Sequence, residues 1–332
     1  MKKRILTGDR PTGKLHLGHY VGSLANRIKL QDEYETYIII ADVQALTDNF
    51  NNPEKIRASL TEVALDYLAV GIDPSKATIF VQSMVPEIAE LTVFFMNMTT
   101  VARVAQNPTV KNEMREKGYD EEIPFGFFAY PVSQAADILC VNAHLVPAGA
   151  DQLPMIEQTR DIARNFNRLY GETFVETESL VSDFSRLPGL DGNAKMSKSL
   201  NNAIYLSDSS EILREKIMKM YTDPNRIHAT DPGTVEGNVA FVYHDAFNPN
   251  KDEVADLKER YQKGTVGDVE VKTKLFHALD AFLAPIHEKR AFYEARPDEV
   301  RQILIDGTAR ARAKAAETME RVRHAMKIDY FK

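Results

Sequence analysis

The chain has 332 residues, 44% of them apolar and 27% charged, an ordinary soluble globular balance that is too long for one small core and fits one large or two moderate domains. Its formal net charge of −7 does not advertise a nucleic-acid partner, so any RNA would have to dock on a local basic patch. A single cysteine, Cys140, excludes a disulfide framework within the chain and fits a reducing cytoplasm. Set in the apolar run "ADILCVNAHLV", Cys140 reads as a small buried hydrophobe. The basic start "MKKRILTG" lacks the apolar h-region of a signal peptide, and no segment approaches ~18 uninterrupted apolar residues, so no membrane span is expected.

The first 180 or so residues alternate strand and helix. "RILTG" is a short apolar strand ending in glycine. From His16 to Leu30, the residues Leu17, Tyr20, Val21, Leu24 and Ile28 recur at helical spacing. "TYIIIAD" is a continuous β-branched run, the pattern of a strand buried on both faces. "NNPEKIRASLTEVALDYLAVG" is a helix with Asn52 as N-cap, Pro53 at its first position and Gly71 beyond its end. "ATIFVQS" and "HLVPAG" read as further strands, the latter followed by a helix over 152–167. Strands separated by helices imply crossovers, hence an α/β fold with a Rossmann-like, doubly wound parallel sheet. Ligands of such sheets bind at the carboxyl ends of the strands, where Gly8, Asp42, Gln82 and Gly149 stand. After about residue 207 the strands stop, and five segments read helical through to the end. The expected division is an α/β domain over 1–206 and an α-helical second domain over 207–332, whose last helices can pack back on the first. The final helix carries Arg310, Arg312, Lys314, Arg321, Arg323 and Lys327, either a solvated face or a place for RNA contact.

Two nucleotide signals overlap in "ILTGDRPTGKLHLGHY". Gly8 to Lys14 fits G-x-x-x-x-G-K, but a phosphate-cradling P-loop needs a Ser or Thr next, and here stands Leu15. Pro11 also removes one of the backbone donors of such a loop. The other signal is H-x-G-H. His16 and His19, three apart at a helix start, share one face where free N–H groups favour phosphate. Gly18 between them offers bare backbone to a flat ring. Alone the motif is weak, recurring by chance in roughly one chain of this length in twenty-five. "KMSKS", from Lys195 to Ser199, fixes five positions and arises by chance in roughly one chain in ten thousand. Two lysines three apart on a polar loop suit a clamp for a polyphosphate.

Together "PTGKLHLGH" and "KMSKS" resemble the HIGH and KMSKS motifs of class I aminoacyl-tRNA synthetases. "GDRPTGKLHLGHYVGSL", "ALDYLAVGIDP", "YPVSQAADIL", "VPAGADQ" and "RLPGLDGNAKMSKS" resemble the bacterial tryptophanyl-tRNA synthetases most, over nearly the whole chain. The resemblance implies a Rossmann catalytic domain with a helical anticodon-binding domain, a cytoplasmic homodimer, and ATP, Mg²⁺, L-tryptophan and tRNA(Trp) as cofactors and partners. It implies that His16, His19, Lys195, Lys198 and Lys111 serve adenylate formation. ATP is then held by Arg10, Pro11, Thr12, Gly18, His19, Gly149, Ala150, Asp151, Leu187 and the loop Lys195, Met196, Ser197, Lys198 and Ser199, with Mg²⁺ carried mainly by ATP. Tryptophan falls to Leu6, Gly8, Gln44, Tyr130, Gln134, Asp137 and Gln152, with Asp137 accepting the indole N–H. Tyrosyl-tRNA synthetases are the nearest alternative, because they share the spacing of Tyr130, Gln134 and Asp137. Leu6 stands where archaeal-type tyrosyl enzymes place a tyrosine, and an apolar wall there suits a bicyclic ring. A nucleotidylyltransferase shares H-x-G-H but has no reason for the helical domain, and a non-charging paralogue has no need of both histidines and both lysines.

Overall fold

The computed structural model describes residues 2–119, 122–149, 152–181, 187–192, 196, 200–223, 226, 228 and 230–331. Five strands form one sheet: β1 (Arg4–Asp9), β2 (Glu35–Ile40), β3 (Ala77–Val81), β4 (Leu145–Ala148) and β5 (Glu178–Val181). All neighbours run parallel in the order β3-β2-β1-β4-β5. The β2 run is buried along its whole length after Glu35 and feeds two cores by alternation. Ile38 and Ile40 face one apolar cluster, Tyr37 and Ile39 the other.

Helices cover both faces. The chain after β1 continues as α1 (Leu17–His19), a π-helical turn (Tyr20–Leu24) and α2 (Ala25–Glu33). The expected single helix from His16 is therefore widened at Tyr20–Leu24, a local distortion common beside functional sites. Next come α3 (Asp42–Asn49) and α4 (Pro53–Val70). Asn52 caps α4 by accepting from the Lys55 amide at 3.3 Å, and Gly71 ends it at φ 108°, a left-handed conformation that glycine adopts without penalty. Between β3 and β4 lie α5 (Pro86–Asn97), α6 (Val101–Ala105), α7 (Pro108–Lys117) and α8 (Phe125–Cys140); α9 (Leu153–Tyr170) follows β4.

After β5 the described chain is helical: α10 (Ser210–Met218), α11 (Val239–Phe247), α12 (Lys251–Gln262), α13 (Asp268–Glu294) and α14 (Pro297–Ala325). Leu213, Phe241, Leu257 and Leu279 share one continuous apolar cluster with Ile38, Ile40, Val63 and Leu68. α14 goes to the other cluster, where Ala311, Ala315 and Met319 meet Phe80, Leu91 and Leu139. It also covers the free edge of β3, whose Val81 amide donates to Thr308 Oγ1 at 3.2 Å. The basic residues of α14 are not a simple solvated face. Arg312 pairs with Glu87 and Arg323 with Glu90 on α5, while Arg310 and Arg321 donate to the Pro74 and Thr173 carbonyls. Cys140 is fully buried and donates to the Asp137 carbonyl. Among the described residues no helix is long and apolar enough to cross a membrane.

A Cβ on Gly307 would lie 1.9 Å from the Ile79 carbonyl oxygen, so α14 can approach β3 only through a glycine. Gly307→Ala is expected to destabilise the fold by roughly 1–3 kcal/mol, the cost of overpacking a rigid contact. A urea melt of unchanged midpoint would contradict this close approach.

Candidate active site

At the carboxyl ends of β1 and β4 the crossovers leave toward opposite faces, and a cleft of about 920 Å³ opens between them. Its floor depends on a close strand approach: a Cβ on Gly8 would sit 2.1 Å from the Ile39 carbonyl oxygen. Asp9, at the end of β1, accepts from Arg27 Nη1 at 2.6 Å and from the Tyr67 hydroxyl at 2.7 Å. Arg27 also donates to the Gly8 carbonyl at 3.1 Å and is almost wholly buried. Burial alone would raise the Asp9 carboxyl, yet the Arg27 guanidinium, with help from His19 and Tyr67, holds it well below the usual carboxylate range. The result is a charged, paired anchor under the cleft.

The segment that resembled a P-loop is built otherwise. Leu15 is buried in the core, and its amide donates to Asp66 Oδ2 at 2.7 Å. Leu17 donates to the Ile204 carbonyl and Leu206 to the Leu15 carbonyl, so residues 15–17 pair with 204–206 around an antiparallel bridge between His16 and Tyr205. The His16 and His19 rings lie 3.9 Å apart, and His19 Nδ1 accepts from the His16 amide at 3.2 Å. The space a Gly18 Cβ would need is taken by the His16 ring, 2.9 Å away, with the Met196 sulfur at 3.4 Å. Gly18 thus lets the imidazole fold against the helix start, a packing reason that the sequence did not reveal.

At the other end of the cleft Asp137 is 3% exposed. Gln82 Nε2 donates to both its oxygens, at 2.8 and 3.0 Å, while Gln82 Oε1 accepts from the Gln44 amide at 3.0 Å. The Gln44 contact fixes which end of the Gln82 amide faces the acid. Burial pushes the Asp137 carboxyl up to about 8, Asp42 adds to this, and the Gln82 bond opposes it. Tyr130 lies beside Glu113, and burial together with that carboxylate raises its phenol. Arg10 pairs with Asp48 at 2.9 Å, as does Lys117, across the α3 side of the cleft.

The cleft brings together Leu6, Gly8, Arg10, Thr12, His16, His19, Gln44, Tyr130, Gln134, Asp137, Gly149, Gln152 and Met196, all singled out from the sequence. Four do not line it. Pro11 is buried beside it, Leu187 lies in the core cluster with Leu190 and Met196, and Lys111 is exposed on α7. Gly18 contributes through His16 as described. Ala150, Asp151, Lys195, Ser197, Lys198 and Ser199 lie outside the described residues. The sequence reading gave no role to Asp9, Arg27, Gln82 or Glu113, which also line the cleft or hold its acids. Gln82 had one visible signal, its place at a strand end. Among the described residues no group of three His, Cys, Asp or Glu side chains could hold a metal.

The raised Asp137 carboxyl has a stability signature. Between the unfolded value near 4 and the folded value of about 8, the native state binds the extra proton, so this group's contribution falls as pH rises through that window. Asp137→Asn removes the titration. The melting temperature of Asp137→Asn relative to the parent should therefore rise steadily from pH 4 to pH 8 and level off above. A difference independent of pH would contradict the assignment.

The matching family model is that of the class I tRNA synthetases (W and Y), over residues 1–284. The tryptophan–tRNA ligase of Clostridium longisporum is 54% identical over 99% of this chain and 98% of its own length. That of Streptococcus pneumoniae is 53% identical over 99% of each. Among solved structures, tryptophanyl-tRNA synthetase from Campylobacter jejuni, complexed with ADP and tryptophan, is 31% identical with a TM-score of 0.87, covering 98% of this chain and 99% of that one. Sheet order, cleft and full-length identity agree: the chain belongs to the class I tRNA synthetases of the tryptophan and tyrosine family.

Proposed function

We propose that the protein is a tryptophan–tRNA ligase, which activates L-tryptophan with ATP and transfers it to the 3′-terminal adenosine of tRNA(Trp). The observation that carries this reading is identity above 50% to tryptophan–tRNA ligases over the full length of both chains. Against the tyrosine alternative, Leu6, Ile39 and Val146 line the cleft as an apolar wall suited to an indole.

In the first step the tryptophan carboxylate attacks the α-phosphorus of ATP, and the bond to the bridging oxygen of pyrophosphate breaks. In the second a terminal ribose hydroxyl of the tRNA attacks the activated carbonyl, and AMP leaves. The carboxylate is already a nucleophile, so the first step needs alignment and charge neutralisation rather than a general base. His16 and His19 stand at the helix start where the α-phosphate would lie. Lys195 and Lys198 would draw charge from the leaving pyrophosphate, joined by Lys111 from its exposed position on α7. Asp151 would accept from the ribose beside Gly149, and Arg10, Pro11, Thr12 and Leu187 would border the nucleotide. Asp137, oriented by Gln82, would accept the indole N–H. Tyr130, Gln134 and Gln152 would hold the α-amino group, with Gln44 at the rim and Gly8 beneath. Magnesium would be carried by the ATP phosphates, where it screens their charge.

Residues 1–206 are proposed as the catalytic domain and 207–332 as the anticodon-binding domain. A cytoplasmic homodimer completes the reading, on family resemblance. Asp137→Asn should raise the tryptophan KM by roughly 10–100-fold, the scale of leaving one buried hydrogen-bonding group unsatisfied, and move the ATP KM by no more than about twofold. Lys198→Ala should slow adenylate formation by roughly 10²–10³-fold. Equal changes in both KM values for Asp137→Asn would remove it from the amino-acid pocket. Wild-type adenylate formation by Lys198→Ala would remove that lysine from the chemistry.

A further inference from the structure

One face of α13 is spent on the H-x-G-H segment and on residues 204–206, which pair with it. Phe282 stacks edge-on against Tyr20, just after His19, with ring centres 4.9 Å apart. His287 Nε2 donates to the Leu206 carbonyl at 3.0 Å, and the Leu206 amide in turn donates to the Leu15 carbonyl. Arg290 forms an ion pair with Asp66, whose other oxygen holds the Leu15 amide. Asp66 is fully buried and Arg290 nearly so, with Glu62 at 2.6 Å and Glu294 at 2.8 Å on the remaining guanidinium positions. Positions 282, 286, 287 and 290 fall on one helical face. Both polar chains from that face end on the backbone of residue 15, immediately before His16.

We propose that Arg290 and His287 are positioning residues for adenylate formation. They fix residues 15–17 and 204–206, the paired backbone from which the His16–His19 pair is held. This rests on the reading that the histidine pair handles ATP. Generic interdomain glue would scatter its contacts. The ion pairs of α14, Arg312 with Glu87 and Arg323 with Glu90, do that: they join the same helical half to α5 away from the cleft. The α13 contacts converge on the site, so a small shift of this helix moves the histidines. Misplacement by about 1 Å can cost on the order of a hundredfold in rate.

The test is steady-state ATP–pyrophosphate exchange by the full-length protein with tryptophan, alongside thermal melts. His287→Ala removes one link. The double variant Asp66→Leu/Arg290→Met removes the other while leaving no buried charge unpaired; it also frees the Leu15 amide, and the melts check that it folds. Arg323→Ala is the control. Each α13 variant should lower kcat by about tenfold or more with the tryptophan KM within about twofold, and His287→Gln, which keeps an N–H donor, should recover most of the loss. Arg323→Ala should exchange like the parent. Folded α13 variants with parental kcat would overturn the proposal, as would an equal loss in Arg323→Ala or equal losses in kcat and tryptophan affinity. No exchange by the parent protein would overturn the ATP reading itself, a distinguishable failure.

Discussion

The chain must reverse its direction of winding between β1 and β4, and everything at the site follows from that. Two adjacent parallel strands whose crossovers leave on opposite faces cannot close over their own carboxyl ends. The opening is therefore topological, and the sequence has only to furnish it. β1 ends in Gly8 and Asp9, β4 runs to Gly149, and the helix starts after them point inward. The glycine at position 8 allows β1 and β2 to approach at this level, so the floor of the cleft is backbone rather than side chain.

Two buried acids in this cleft have opposite fates, and the difference is their partners. Asp9 meets a buried guanidinium and a phenol and stays charged. Among the described residues, Asp137 accepts from the neutral amide of Gln82, and burial drives its carboxyl upward. The first suits an anchor that never changes state. The second suits a group whose hydrogen bond to a ligand replaces lost solvation, because a buried acceptor with spare lone pairs gains most from a donor. The Gln82 amide, held at its other end by the Gln44 backbone, leaves Asp137 little freedom to turn away.

Much of this was legible in sequence where local rules decide. The β-branched run of β2 reads as a doubly buried strand because a parallel central strand has no wet face. The ends of α4 read correctly because Asn52, Pro53 and Gly71 act through their own backbone. The α12 segment "KDEVADLKERYQ" matches Lys251–Gln262 because a polar helix on one apolar stripe has a plain 3.6-residue period. The four-residue β5 was not legible, being too short to carry a period. Arg27 looks like a surface residue of a polar helix, and only the fold brings it to Asp9. Gln82 and Asp137 are 55 positions apart, and no spacing rule joins them. The charges of α14 suggested solvent or RNA, whereas several hold the helix on α5 and the sheet edge. Leu187, expected beside the nucleotide, is buried in the core cluster with Leu190 and Met196. In each case a distant partner overrides a local pattern.

The most direct test of the account is ATP–pyrophosphate exchange by the purified protein with each of the twenty amino acids offered separately. Exchange that depends on tryptophan, with tyrosine far behind, is the predicted result and would tie the cleft around Asp137 to adenylate chemistry on an indole substrate. Exchange that favours tyrosine, or none with any amino acid, would contradict it.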